Sequence, residues 1–385
     1  MQSSSILVVL SIVVACGDGG SAKVDAAQPT DAFDRRAMLM HLATNVLLPI
    51  QADVAAKAAR LPPAILAYCD ALDAGDAGTT LDTARVALGD AIDSWEYADA
   101  VLVGPAAMDS NAIRDRLYAW PLLSPCELNK DIASHWASPS SYDVTTELVS
   151  TRSLTALEFL LFPPSDAHGC LQAPAGWDTL PKDRARCRIA YVIAGDVAQQ
   201  AQVLHTAWKA DGGNYIGELA GMSNPHAAVN LVSDSLFYMD TMVKDMKLGQ
   251  PAGIAINACD AMQAPCVLEV ETRFADRATF AIRANLAATR QVFTGTTPDG
   301  DGPGFDDFLV ALGHEDVATR MVGSLDEAIA DAAALPESFL SALSTSYSQV
   351  VATHAATKAF TDDLKSQFLT LLALEIPDDV ATDND

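Results

Sequence analysis

Apolar residues along this chain recur at intervals of three and four rather than alternating, alanine dominates, and β-branched runs are few. That is the pattern of helices with one buried face. The set Leu39, Leu42, Val46, Ile50 and Val54 advances in such steps through a helix predicted over 33–61. Thr30-Asp31 are capping residues ahead of it, and Pro49 should kink it. The same reading predicts helices over 63–74, 81–103, 110–118, 142–162, 182–210, 226–247, 265–293, 305–312, 315–334 and 337–374. Breakers cluster at Gly75-Asp76-Ala77-Gly78, Pro163-Pro164, Asp211-Gly212-Gly213 and from Pro298 to Gly304. The longest break, 163–181, divides an N-terminal half, 31–181, from a C-terminal half, 182–376, with an acidic tail at 377–385. No repeat at a period of 20–50 residues is visible, which argues against a solenoid. The expected fold is all-α, built as two helical-bundle halves.

The N-terminus has a different character. Ile6 to Val14 is apolar apart from Ser11 and too short to span a bilayer. It runs into Val14-Ala15-Cys16-Gly17, which resembles the lipobox of bacterial lipoprotein signals, where the cysteine becomes the lipidated first residue. No Lys or Arg precedes the apolar stretch. Residues 1–16 are therefore expected to be a lipoprotein-type signal with Cys16 as the lipidation site, and 17–30 a flexible tether. The implied location is the cell envelope, most simply the outer membrane, with the membrane a partner through the lipid alone.

Cysteine usage fits export. Of seven cysteines, setting Cys16 aside leaves Cys69, Cys126, Cys170, Cys187, Cys259 and Cys266. Six cysteines permit fifteen connectivities, among which sequence does not choose. The short spacings suggest Cys170 with Cys187 and Cys259 with Cys266, leaving Cys69 for Cys126. No close zinc spacing occurs, so structural disulfides are the expectation.

Charge narrows the functional classes. With 24 Lys+Arg against 50 Asp+Glu, the formal net charge is −26. That excludes nucleic acid as a partner, because phosphate binding needs clustered cations. None of the seven scattered histidines is followed three or four residues later by an acidic residue or a second histidine, and His314-Glu315 lacks the second histidine of HExxH. Asp299-Gly300-Asp301-Gly302 is followed by Pro303 with no closing Glu, and reads as a turn rather than a calcium loop.

One segment carries chemistry. From Leu154 to Phe162 apolar side chains point almost all round the helix, so Glu158 is expected inside the protein. A buried carboxylate must be paired, bound to metal or protonated. Thr155 lies one turn earlier and Arg152 two. Arg152 or a backbone donor could satisfy Glu158; otherwise it is a site carboxylate between the halves, or it faces solvent.

Arg152-Ser153-Leu154-Thr155-Ala156-Leu157-Glu158-Phe159-Leu160-Leu161 resembles the signature helix of the imelysin family, Gly-x-His-x-x-Glu followed by an aromatic residue and Leu-Leu. Supporting stretches follow in the expected order. They are His41 to Pro49, Ser94-Trp95-Glu96-Tyr97-Ala98-Asp99-Ala100 running to Gly104-Pro105, Arg116 to Pro121, Gly213-Asn214-Tyr215, Lys247-Leu248-Gly249 and the closing helix near 364–374. The resemblance spans roughly residues 31 to 376. It implies an all-helical envelope protein of two bundle-like halves in a family classed with metallopeptidases and tied to iron uptake. It also implies a divalent metal or iron held near the interface between the halves, with envelope iron-uptake proteins as partners. Carried over by position, Glu158, Asp99 and Thr155 are the metal candidates and Arg152 a supporting residue. The chain departs from the motif where Gly is Ser153 and His is Thr155. A hydroxyl is a poor transition-metal ligand beside an imidazole. The reading therefore favours an envelope binding protein over its alternatives, a metal-dependent endopeptidase using Glu158 or a structural adaptor with a decayed site.

Overall fold

Apolar stripes at three- and four-residue spacing fold into helices packed side by side. The computed structural model describes residues 33–259 and 264–377; the expected signal with Cys16, the tether 17–30 and the tail beyond 377 lie outside them. Among the described residues seventeen α-helices follow in order. They are α1 (Arg35–His41), α2 (Leu48–Ala58), α3 (Leu61–Ala74), α4 (Thr80–Asp99), α5 (Met108–Leu117), α6 (Pro125–Ala137), α7 (Leu154–Leu161), α8 (Lys182–Trp208), α9 (Tyr215–Gly221), α10 (Pro225–Asp234), the three-residue α11 (Gln250–Ala252), α12 (Ala278–Thr294), α13 (Phe305–Ala311), α14 (Glu315–Ala334), α15 (Phe339–Thr345), α16 (Tyr347–Asp363) and α17 (Leu369–Leu372). The fold class is all-α, with no strand among the described residues and an isolated bridge, Thr297 to Gly300, in the Asp-Gly turn. No helix among them is long and apolar enough to cross a membrane.

Two groups of helices pack within this unit. α2, α3, α4 and α8 pack on one another, and α12, α13, α14 and α16 form the other group. α4 against α12 joins the groups, so residues on the inner face of α4 are buried from both sides. α8 lies beyond residue 181 in sequence yet packs on α2 and α3. Trp95 on α4, Trp208 on α8 and the rings of Phe293, Phe360 and Phe368 fill the interiors.

The helices depart from the predicted ones where the backbone loosens. The kink expected at Pro49 is a π-helical segment, Leu42–Leu47, with the proline in the first turn of α2, where its missing N–H costs nothing. Two further π-helical segments, Met239–Gly249 and Leu364–Phe368, widen the helices that pass each other near Asp240, whose carboxylate pairs with Lys244 and Lys365 at 3.1 Å each. The helix predicted over 142–162 is two single 3-10 turns and then α7, and α6 and α9 were not predicted. Gly104 sits at φ +66°, and a Cβ there would overlap the Tyr215 ring, so this turn requires glycine.

The disulfides correct two of the expected pairings. Cys69 bonds Cys187 and Cys126 bonds Cys170, while Cys259–Cys266 is as expected. The 163–181 loop does not close on itself. It is laid onto α6, where Gly169 N–H donates to Asn129 Oδ1 at 2.8 Å, and this brings Cys170 to Cys126. Cys187 is left on the buried face of α8 against α3, opposite Cys69.

Candidate functional site

Every residue of α7 is buried, Glu158 at 3 % exposure. Its Oε1 accepts two consecutive backbone N–H groups, from Phe274 and Ala275, both at 2.9 Å. The Phe159 ring meets Phe274 edge-on beside it. Burial raises the Glu158 pKa to about 7, against the lowering effect of the Ala275 and Phe274 amides and the nearby Arg273 cation. Arg152 does not close this carboxylate. Its guanidinium turns to Asp196 at 3.8 Å and donates to the Val144 carbonyl at 2.8 Å. The backbone donors do what the sequence left open to arginine.

Thr155, at the motif histidine position, shares a 2.7 Å hydrogen bond with Ser153, whose Oγ also accepts Ala119 N–H at 3.3 Å. Asp99, at the last turn of α4, is fully buried and doubly bound by Arg114, Nε to Oδ1 at 3.1 Å and Nη2 to Oδ2 at 3.2 Å. Tyr238 donates its hydroxyl to Oδ2 at 2.9 Å. Glu158 and Thr155 thus share one helix, whereas Asp99 belongs to a different set of partners. Among the described residues no group of three His, Cys, Asp or Glu is arranged to hold a metal ion. Glu158 Oε1, the Thr155 hydroxyl and both Asp99 oxygens are bound by amide, hydroxyl or guanidinium donors, and these residues do not converge as the three ligands a metal centre needs.

A second buried set was not assigned a role from sequence. One turn before Asp99, Glu96 pairs with Lys247, both fully enclosed. Lys247 Nζ also lies 3.0 Å from Glu271 Oε2 and donates to Asn285 Oδ1 at 2.9 Å. Asn285 returns its amide to the Glu96 carbonyl at 2.6 Å, and Tyr118 donates to Glu271 Oε1 at 2.9 Å. Burial lowers and the Glu271, Glu96 and Asp99 charges raise the Lys247 pKa, with a net rise; burial and the Glu96 charge push Glu271 upward. Glu96 from α4, Lys247 from the π-helical segment, Glu271 from the loop before α12 and Asn285 from α12 thus tie both helix groups through one ammonium. The signal lay in Trp95-Glu96 and Lys247-Leu248-Gly249, charged residues embedded in apolar helix faces.

Asp99 also forms part of the wall of a cavity of about 540 Å³, together with Asn111, Arg114, Trp120, Tyr238 and Met242. The Trp120 and Tyr238 rings line it and lie over Lys247, with centroids 5.9 Å and 5.3 Å from Nζ. At its edge Asp109, Ser110 and Asn111 hold consecutive positive φ values, a strained turn for non-glycine residues. Glu158 is not among the residues lining this space. The arrangement can enclose a small molecule between aromatic, thioether and amide surfaces over a neutralised Asp–Arg floor.

The comparisons with known proteins agree with this architecture. Among curated proteins none matches the chain. An imelysin-like protein from Psychrobacter arcticum 273-4 superposes with a TM-score of 0.65 at 16 % identity, over 89 % of this chain and 96 % of that one. A protein of Parabacteroides distasonis ATCC 8503 described as an iron-regulated protein A precursor gives a TM-score of 0.68 at 18 % identity, over 91 % and 96 %. At these identities the likeness concerns the fold. The imelysin family model itself matches residues 47–367, and the chain belongs to the imelysin family.

Proposed function

We propose that this chain is an exported, lipid-anchored binding protein of the cell envelope, serving metal or iron acquisition, and not a peptidase. Its ligand is an organic molecule or a metal chelate, held in the Asp99–Arg114–Tyr238 cavity, rather than a bare ion. The observation that carries the reading is that the motif residues are bound elsewhere and do not converge: Glu158 Oε1 to two amides, Thr155 to Ser153, Asp99 to Arg114 and Tyr238. A catalytic metal needs three converging ligands and an open position. The adjoining cavity, by contrast, has the size and mixed lining of a small-molecule site. The iron-regulated description of the Parabacteroides relative supports the link to iron.

The test is calorimetry and elemental analysis on the purified protein with ferric citrate as a chelate probe, beside ferrous, zinc and copper ions alone. Binding of ferric citrate that Met242→Trp blocks by filling the cavity supports the proposal. Stoichiometric binding of a bare ion, lost in Glu158→Gln together with hydrolysis of a peptide substrate, would overturn it in favour of a metallopeptidase. Binding of neither probe would leave a structural adaptor. Mass spectrometry of the mature N-terminus tests the anchor, which requires a lipid-modified Cys16.

A further inference from the structure

A separate hollow of about 390 Å³ is lined by His135, Trp136, Pro139, Arg188, Tyr191 and Val192, on and just after α6 and on the facing part of α8. Of the five tryptophans of the chain, Trp136 alone is exposed, at 40 %, and Tyr191 is exposed at 38 %. Both elements that carry these rings are pinned. Cys126–Cys170 fixes the first turn of α6 to the 163–181 loop, and Cys69–Cys187 fixes α8 to α3 one residue ahead of Arg188. The two helices that carry the rings are therefore held in place, and a ligand would have only the side chains to order.

The polar groups decide what would fit between the rings. Arg188 Nη2 pairs with Asp73 and lies 3.7 Å from Asp70, while Arg184 approaches the same Asp73 at 3.4 Å. Two cations meet two carboxylates, so the patch is close to neutral. Among the described residues the partners of Arg188 all lie at Nη2, which leaves Nε and Nη1 without an acceptor there. A charge-balanced guanidinium with directed donors to spare suits hydroxyl oxygens better than a carboxylate or phosphate. On the inner wall His135 is 6 % exposed and its Nδ1 has no hydrogen-bond partner. Burial lowers its pKa, so the ring stays neutral with one donor and one acceptor nitrogen. A cationic peptide would find its carboxylates already paired. A polyproline segment would use the rings and leave the Arg188 donors unmet. A hydroxylated ring with an apolar C–H face uses both.

We propose that this hollow binds a neutral pyranose oligosaccharide, with Trp136 and Tyr191 as stacking platforms and Arg188 donating to ring hydroxyls. The site is separate from the Asp99 cavity and stands whether or not that cavity takes a chelate. The test uses the purified full chain with maltotriose, cellotriose and chitotriose as probes, followed by saturation-transfer NMR and tryptophan emission. Saturation transfer from at least one trisaccharide is expected, with a shift in emission and a dissociation constant raised at least tenfold by Trp136→Ala and by Tyr191→Ala. Both side chains are exposed, so unchanged melting of the variants would show that the fold is intact. Absence of transfer from all three sugars would overturn the proposal. So would binding that survives both substitutions, or a response to a polyproline peptide alone.

Discussion

Glu158 and the backbone amide of Phe274 stand 116 residues apart in sequence and 2.9 Å apart in space. The bond, doubled by Ala275, ties α7 to a loop whose ends hold positive φ at Thr272 and Asp276. A β-branched residue does not adopt that conformation unaided, so the carboxylate holds a strained loop. Removing the acceptor in Glu158→Ala strands two partly buried amides, and a loss of about 1–3 kcal/mol is expected from denaturant unfolding. Glu158→Gln keeps an acceptor oxygen and should cost far less.

The same carboxylate makes stability depend on pH. Its folded pKa, about 7, lies above its unfolded value of 4.5, so the folded state holds the proton more tightly. The stabilisation is complete below about pH 4.5 and is lost as pH rises through 7. Wild type should therefore lose up to roughly 3 kcal/mol between these limits relative to Glu158→Gln, which has no proton to release. Paired urea titrations at several pH values measure the difference. A constant gap across that window would remove the assignment.

Lys247 is the ammonium that faces two buried carboxyl groups, so its removal should be severe. Lys247→Met leaves Glu96 and Glu271 enclosed without a cation, and the expected loss is about 3–5 kcal/mol. Adding Glu271→Gln to Lys247→Met should recover part of it, because one of the two stranded carboxyl groups is gone. Unfolding free energies of the two single variants and the double variant test this, and purely additive losses would show that the three groups do not act together.

How much of this was readable beforehand follows from the range of each interaction. The helical class and the burial of Glu158 follow from local periodicity, because a helix apolar almost all round, as α7 is, has only one place to go. Its partners did not follow, since Phe274 and Ala275 act through backbone groups that carry no side-chain signature. Arg152 was the near neighbour in sequence, yet one turn of 3-10 helix ahead of α7 aims it at Asp196 instead. Glu96, Lys247, Glu271 and Asn285 come from four separate segments and meet only once α4 lies against α12.

The disulfide pairs follow from packing in the same way and predict a hierarchy. A non-reducing digest should yield linked peptides for Cys69–Cys187, Cys126–Cys170 and Cys259–Cys266, and none for Cys170–Cys187. By loop closure the 118-residue separation of Cys69 and Cys187 constrains the unfolded chain most; the Cys69→Ser/Cys187→Ser variant should lose about 4–5 kcal/mol. The pair seven residues apart should matter least. Melting of the three double-serine variants in oxidising buffer gives the order.

Restoring the family motif separates an altered ligand set from a site that lacks its surroundings. Ser153→Gly with Thr155→His would supply the imidazole, and if the hydroxyl were the sole defect, metal affinity should return. The structure argues otherwise. Glu158 Oε1 would still be bound by two amides, and Asp99, on a different helix, would still be held by Arg114 and Tyr238. The glycine would also strip Ala119 N–H of its acceptor. The double variant is therefore expected to show no stoichiometric zinc or iron binding by calorimetry and a stability lowered by about 1–2 kcal/mol. Micromolar binding in this variant, abolished by adding Glu158→Gln, would mean that the Phe274–Ala275 loop yields to a metal and that the two amides are a resting state of the site.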